Sequence, residues 1–573
     1  MGKLTRLTLV VAGVAGVFAA CHGTDRLNSL EETPPPPYPP PVVTVAPDGG
    51  VLDDEGPFDH TPVPTDMGVP GPQKTLDGGW VYRDLGEADP DDALRGLISF
   101  PLRDRPALDA RIRESYDPSS PRFRQYMTVE EFMAAHAPTE RHLDIVADWL
   151  VSRGLAVPRR ATNRLFLQFT GTVRQFNEAF GVTVHVLERK SPQAGNPPHP
   201  VYGLLEPIRA PQFVKDRIHA VVALDLPADT RPLPPEGGQP EPFPESEIAG
   251  ALTPEQVAHA YGFAPMYARG HRGEGVRLGV TVGAAFRFRD LRAFWAQFGV
   301  QREDPLVIET MEAPATRYKE SQLDVEWATV MAPAAEVRVY MGPDARNTSM
   351  IFTFNEAIAR NEIDVLTDSF AHREDSEPVP VREAYDMSAA MAAALGITVV
   401  AASGDSAGVD TPSCSPYVTA VGGTELLMNG NSIHLERAWT ESGSGISRTF
   451  PTPWWQEGVH PELQGKRGVA DVALNAKNGY WFLYLNRWTS LNGTSFSSPV
   501  FAAMIAVVNG ARLKEGRPRV GFLNQTLYTE PAVRETFRDI TEWATPKYSA
   551  HEGWDFPTGW GAPDAEGLHR TLP

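Results

Sequence analysis

Asn492-Gly493-Thr494-Ser495-Phe496-Ser497-Ser498-Pro499 runs directly into Val500-Phe501-Ala502-Ala503-Met504-Ile505-Ala506-Val507-Val508-Asn509. Physically this is a glycine turn, then a serine, then a helix too apolar all round to sit on a surface. A serine at that junction lies beside the unpaired N–H groups of the first helical turn. The dipole there favours negative charge. Serine before a helix is most often a simple cap. Gly-Thr-Ser-x-Ser-x-Pro opening a small-residue helix is more specific, and it marks Ser495 as the candidate nucleophile.

This stretch resembles the nucleophile motif of the subtilisin-like fold. A serine nucleophile needs a base to take its proton, and the usual subtilisin-like chain supplies histidine in a His-Gly-Thr-His setting. The chain has 14 histidines, none of them in such a setting. Carboxylates are the alternative. In Glu320-Ser321-Gln322-Leu323-Asp324-Val325-Glu326-Trp327-Ala328-Thr329-Val330-Met331-Ala332-Pro333, the residues Leu323, Trp327, Val330 and Met331 recur at helical spacing and Pro333 ends the run. Glu320 and Asp324 are four apart and so share one helix face. If buried, they would share a proton. A third segment, Val399-Val400-Ala401-Ala402-Ser403-Gly404-Asp405-Ser406, reads as a buried strand ending in a glycine turn. Asp405 then lies just past a strand end, where open α/β sheets bind ligands.

Together, Glu-x-x-x-Asp on a helix, Ser-Gly-Asp-Ser after a strand and Gly-Thr-Ser-x-Ser-x-Pro resemble the sedolisins, the serine-carboxyl peptidases. In that family a subtilisin-like fold carries Glu in place of the catalytic His. The resemblance implies Ser495 as nucleophile, Glu320 as general base and then acid, Asp324 hydrogen-bonded behind Glu320, and Asp405 in the oxyanion hole. The last role has a physical demand. A carboxylate would repel a developing oxyanion, whereas a protonated Asp can donate to it. With a Glu base of reference pKa ~4.3, working at acid pH follows from the chemistry as well.

The length of 573 residues implies several domains. A hydrophobic share of 42% and a charged share of 22% are those of a globular protein. The net charge of −20 argues against nucleic acid as a partner. Residues 1–21 read as a signal peptide: Lys3 and Arg6 precede the apolar run from Leu7 to Ala20, which is too short to span a bilayer. Phe18-Ala19-Ala20-Cys21 looks like a lipoprotein cleavage box, with Cys21 as the lipidated residue and a route to membrane anchoring. Only Cys414 remains besides it, so no intrachain disulfide is expected, and Cys414 is read as structural. Residues 22–89 form a Pro-rich linker with Pro34 to Pro41 as a polyproline spacer. Residues 90–226 form a small α/β unit, with a capping box at Thr128 to Glu131 and a helix from Val173 to Phe180 closed by Gly181. Asp117-Pro118-Ser119-Ser120-Pro121-Arg122-Phe123-Arg124-Gln125-Tyr126 resembles the activation pro-domain that precedes sedolisins in kumamolisin-like pro-enzymes. The resemblance implies an intramolecular inhibitor and folding aid of ferredoxin-like fold. Residues 227–250 read as an exposed linker with the processing site.

From 251 to 573, strands at Val276–Val282, Val337–Tyr340, Val365–Thr367 and Ile397–Ala401 alternate with helices. That pattern demands a parallel sheet covered on both faces. Asp539 and Asp555 are two carboxylates in glycine-rich loop, suited to a hard cation. The segment looks like the family's calcium site, which implies Asp539 and Asp555 as side-chain ligands and Ile540, His551 and Gly553 as carbonyl ligands of one structural Ca2+. Glycine is usual where His551 stands, and a left-handed backbone there would strain the loop. Leu366-Thr367-Asp368-Ser369-Phe370-Ala371-His372 departs from the family's Ser-x-Ser-Trp-Gly, a segment that lines its substrate cleft. The expected protein is a secreted, monomeric, acid-active endopeptidase acting on proteins or peptides through an acyl-enzyme and made as an autoprocessed pro-enzyme. The alternative is an inactive, lipid-anchored surface binding protein on the same fold. An aspartic peptidase is a poor third reading, because two Asp-Thr/Ser-Gly segments are needed for the dyad and Asp405-Ser406-Ala407 is a single imperfect match.

Overall fold

The computed structural model describes residues 73–75, 81–190, 199–228, 231–233, 235–244 and 250–573. The signal peptide with Cys21, the polyproline spacer and parts of the 227–250 linker lie outside the described residues.

The N-terminal unit is built on a four-stranded antiparallel sheet. Its strands are Ala93–Ser99, Ala156–Arg160, Phe166–Thr172 and Ala220–Asp225. Across the sheet they run second, third, first, fourth. Helices Glu140–Ser152 and Val173–Phe180 follow the first and third strands and bury Leu143, Val146, Leu150, Phe176 and Phe180 in a core of the unit's own. This is the ferredoxin-like order. Thr128 and Glu131 do form a reciprocal capping box, and Gly181 closes its helix at φ 57°. A second sheet includes Val81–Glu87, paired with Val184–Lys190. The folded unit therefore begins inside the stretch read as linker 22–89. The Asp/Gly-rich composition there hid a strand whose hydrogen bonds are supplied by its neighbour rather than by its own apolar pattern.

The C-terminal domain holds an eight-stranded sheet. Its strands are β1 (Arg277–Val282), β2 (Leu306–Glu309), β3 (Glu336–Met341), β4 (Val365–Asp368), β5 (Thr398–Ala402), β6 (Thr419–Asn429), β7 (Ser432–Ala438) and β8 (Val472–Lys477). The order is β2-β3-β1-β4-β5-β6-β7, with β8 also on β6. Every pairing is parallel except β6 with β7. The principal helices are α1 (Lys319–Met331), α2 (Asn347–Ala359), α3 (Val379–Leu395) and α4 (Thr494–Lys514). Helix α4 is buried from Thr494 through Arg512. Its length and apolarity would suit a membrane, but it is the core helix of this domain. Helix α1 differs from the one-faced helix its spacing suggests, being buried all round from Ser321 to Met331. Even Glu326 is inside, accepting from the Gln322 side chain at 2.7 Å and the Leu483 N–H at 2.9 Å.

The two units pack together. Nη2 of Arg95, itself buried, lies 2.7 Å from both oxygens of Asp344, just before α2. Thr162 donates through its N–H and its hydroxyl to Glu356, 2.8 Å each, and Tyr116 donates to the Ala393 carbonyl at 2.8 Å. The linker is also more closely held than its composition implies. The Gly237 carbonyl accepts from Arg287 at 2.7 Å and from Asn486 at 3.0 Å, and Glu241 pairs with Asn486 and Trp488. Phe243 lies edge-on to Trp488 with centroids 4.8 Å apart.

Candidate active site

Four segments distant in sequence meet at the C-terminal ends of β4 and β5. The first is the opening turn of α1. Helix α1 starts at Lys319, so Glu320 is in its first turn, partly exposed, and Asp324 lies one turn deeper with 0% exposure. The second is Asp368-Ser369 at the end of β4. The third is Ser403-Gly404-Asp405 after β5. The fourth is Thr494-Ser495 at the start of α4.

Asp405 is fixed by the residue before the serine. The Thr494 N–H and hydroxyl both donate to Asp405 Oδ1 at 2.8 Å, and the Gly404 N–H donates to the Thr494 hydroxyl at 3.1 Å. Asp405 Oδ2 is buried and accepts no hydrogen bond among the described residues. Gly404 is required there: its φ is +109°, and a Cβ would come 2.3 Å from Asp410 Oδ2. The Gly443 N–H donates to the Gly404 carbonyl at 2.7 Å, so the Gly443-Ser444-Gly445 segment supports the Asp405 loop.

Asp324 Oδ1 accepts from the Ser369 hydroxyl at 2.7 Å, and Ser369 also lies 3.4 Å from the Ser495 carbonyl. Ser495 is 0% exposed, and its hydroxyl makes no hydrogen bond among the described residues. Catalytic hydrogen bonds of this kind often tighten only with substrate in place.

Burial dominates the electrostatics. It pushes the Asp324 carboxyl well above the ordinary range, and the charge of Glu320 adds to this while the Ser369 hydrogen bond opposes it. Burial likewise raises Asp405 far above its usual value, against the two Thr494 hydrogen bonds and with help from the charges of Glu320 and Asp410. Asp368 is pushed up to about 7 by burial, opposed by hydrogen bonds from Phe370 and Thr281 and aided by Glu320. Asp410 also reaches about 7, again through burial. Four buried carboxyls, those of Asp324, Asp368, Asp405 and Asp410, thus favour their neutral forms above the ordinary carboxylate range.

All four catalytic candidates converge here, Glu320 through its charge on Asp324, Asp368 and Asp405. Sequence reasoning did not single out Asp368, Ser369 and Thr494 as site residues. Asp368-Ser369 carried a usable signal, since it ends a strand of a parallel sheet, where such folds place their chemistry.

The cation candidates also come together, elsewhere. Asp539 Oδ2 accepts from the Gly553 N–H at 2.8 Å and Asp555 Oδ2 from the His551 N–H at 3.0 Å. Thr558 holds Asp555 Oδ1 through its N–H at 2.8 Å and its hydroxyl at 2.9 Å. The carbonyls of Ile540, His551 and Gly553 accept none of the backbone hydrogen bonds among the described residues. His551 keeps a negative φ, whereas Gly553 sits at +82°, so histidine causes no backbone strain in this loop. Asp555, 1% exposed, is pushed up to about 6 by burial. No group of three or more His, Cys, Asp or Glu side chains gathers for a metal among the described residues, so a cation here would depend on the carbonyls. Cys414 is buried in a loop and its thiol is pushed well up by burial.

Comparison with known proteins agrees with this architecture. Residues 80–226 match the family described as Pro-kumamolisin, activation domain, and residues 319–561 match the Subtilase family. Kumamolisin from Bacillus sp. (strain MN-32) is 31% identical over 490 residues, covering 78% of this chain and 85% of its own. Tripeptidyl-peptidase 1 of Bos taurus is 28% identical over 560 residues, covering 88% of this chain and 95% of its own. Among solved structures, Pseudomonas sedolisin, described as a serine-carboxyl proteinase in complex with pseudo-iodotyrostatin, superposes with a TM-score of 0.50 at 23% identity. That match covers 56% of this chain and 97% of sedolisin and speaks for the fold.

Proposed function

Since this chain belongs to the sedolisin family of serine-carboxyl peptidases, we propose that it is an acid-active endopeptidase, secreted as a pro-enzyme that processes itself. It is a serine-type peptidase with a pro-kumamolisin-type activation domain, a subtilisin-like fold and peptide substrates. In the proposed mechanism Glu320 takes the Ser495 proton as Oγ attacks the substrate carbonyl carbon. The oxyanion is met by a proton on Asp405 Oδ2. Glu320 then passes its proton to the leaving amine, and water hydrolyses the acyl-enzyme by the same route in reverse. Asp324 backs Glu320.

The observation that carries this reading is the asymmetry of Asp405. One oxygen is tied down by Thr494, and the other is buried and open beside the start of α4. A neutral acid so placed can donate to an oxyanion, and only while it keeps its proton. Acid activity follows from that requirement.

A structural Ca2+ fits the loop formed by Asp539, Ile540, His551, Gly553 and Asp555. The carboxylates of Asp539 and Asp555, with the carbonyls of Ile540, His551 and Gly553, would hold it. A bound cation would keep the buried Asp555 ionised and tie the loop together. The reading of residues 1–21 as a signal places the protein outside the cytoplasm, with Cys21 as the point of membrane anchoring before processing. The N-terminal unit would act as the intramolecular inhibitor.

The test compares purified wild type and Ser495→Ala from acid to neutral pH with calcium. Chain cleavage and hydrolysis of an unstructured protein are both followed. Processing and hydrolysis at acid pH in wild type alone support the proposal. Equal cleavage by both proteins removes Ser495 from the mechanism, and inactivity of both leaves a binding protein on a peptidase fold.

A further inference from the structure

Ser369 is positioned between two of the catalytic candidates. Its hydroxyl is 2.7 Å from Asp324 Oδ1 and 3.4 Å from the Ser495 carbonyl oxygen. Both contacts have a local cause. Ser369 directly follows Asp368, the last residue of β4, so it is presented where the central sheet ends. Pro499 stands four residues after Ser495 inside α4. Having no N–H, it cannot make the helical bond to the Ser495 carbonyl. That carbonyl is therefore open to a side-chain donor, and Ser369 is the one beside it. Ser369 is 2% exposed and Asp324 and Ser495 are 0% exposed, which keeps bulk water away.

A serine hydroxyl has one proton to give. The shorter contact takes it, so Asp324 Oδ1 is an acceptor. An acid proton on Asp324 is then left to Oδ2, which is buried and receives no hydrogen bond among the described residues. Glu320 lies one helical turn away on the same face, and a proton donated from Oδ2 would stabilise its charged form. We propose that Ser369 is a positioning residue that holds the proton of Asp324 on Oδ2, where it supports the Glu320 carboxylate. This rests on the catalytic roles proposed above.

Two further acids act on this pair: Asp368 at the end of β4 interacts with Asp324 and Glu320, and Asp405 in the loop after β5 interacts with Glu320. Asp368 is neutral below about 7, so in acid it does not compete for the role of anion. Removing the Ser369 hydroxyl frees the Asp324 proton to sit on either oxygen. The Glu320 anion then loses part of its support, and the acid limb of the rate profile moves to higher pH.

The experiment uses processed enzyme from the full-length chain and measures kcat and KM against pH for wild type, Ser369→Ala, Ser369→Thr, Asp324→Asn and the Ser369→Ala/Asp324→Asn double variant. Ser369→Ala should lower kcat about tenfold, the worth of one hydrogen bond, with KM unchanged and the acid limb displaced upward. Ser369→Thr, which keeps the hydroxyl, should restore the wild-type limb. On the Asp324→Asn background, Ser369→Ala should cost no more than about twofold, because its partner proton is gone. A purely structural role would lower thermal stability and leave the pH profile unmoved. An unshifted acid limb, or the full tenfold loss on top of Asp324→Asn, overturns the proposal. Ser369→Cys, a weaker donor of similar size, gives the same reading at smaller amplitude should the alanine variant not accumulate. Failure of the catalytic reading itself would show separately, as Ser495→Ala cleaving like wild type.

Discussion

Thr494 and Asp405 are joined twice: the threonine's N–H and hydroxyl both end on the same carboxyl oxygen, 2.8 Å each. The residue preceding Ser495, the proposed nucleophile, thus sets the orientation of Asp405, the proposed oxyanion donor. Asp405→Ala should lower kcat by roughly 10²–10³ with little change in KM. Asp405→Asn, which keeps a neutral donor, should retain more activity. It should also keep that activity toward neutral pH, where the wild-type acid ionises. Rate profiles of the three proteins between acid and neutral pH check this.

Asp368 titrates at about 7 in the folded protein and near ~3.9 when unfolded. Its folded-state value is raised, so its neutral form is favoured by folding. The associated stability is fully present below the unfolded value and is lost as pH rises through about 7. The catalytic domain should therefore lose stability between pH ~4 and ~7, by an amount on the order of 4 kcal/mol from this group at most. Asp368→Asn should flatten that decline, measured as Tm against pH.

Chelation tests the calcium loop. Asp555 without a cation favours its neutral form up to about 6, and protons compete with a cation below that. A chelator should lower Tm strongly at pH ~6.5 and weakly at pH ~4, and Asp555→Asn should abolish the difference. Equal Tm with and without chelator at pH ~6.5 would remove the ion from this loop.

Arg95 and Asp344 form a buried pair between the two units, and Arg346 also engages Asp344 at 2.7 Å. Burial would raise Asp344, but the two guanidiniums outweigh it and hold the carboxyl below its usual range. With a depressed folded-state value, this contact contributes stability above the unfolded pKa and loses it only as pH falls through the lower folded one. It should persist into mild acid. Arg95→Ala leaves a buried carboxylate with one partner fewer, at a cost of about 3–5 kcal/mol. Processing of the variant should begin at higher pH than in wild type, read as chain cleavage on a gel.

Much of this protein was legible in its sequence because the deciding signals are local. The Glu320–Asp324 spacing places both acids on one face of any helix that forms there. Val173 to Gly181 carries its own start and stop signals, and Gly493 to Pro499 specifies a turn and the opening of a helix in seven residues. These features depend on backbone geometry over one or two turns, so composition and spacing suffice. The strand at Val81–Glu87 was hidden because its hydrogen bonds come from a partner about a hundred residues away in Val184–Lys190 and leave no periodic trace. The held linker was hidden for the same reason: Gly237 and Glu241 are fixed by Arg287, Asn486 and Trp488.

The sequence by itself determined Ser495 as the candidate nucleophile, the acidic pair, the strand-end Asp405 and the two-unit layout, since each is written in contiguous residues whose local conformation has few alternatives. Only the tertiary structure decided how they act on one another. Ser369 reaches Asp324 across 45 residues and Thr494 reaches Asp405 across 89. It was the packing of α4 against β4 and β5, and of α1 against α4, that brought those pairs to hydrogen-bond distance. That same packing removed water from around the carboxyls. Burial is a property of the assembled fold, and it is burial that gives these ordinary acids the neutral forms the proposed mechanism requires.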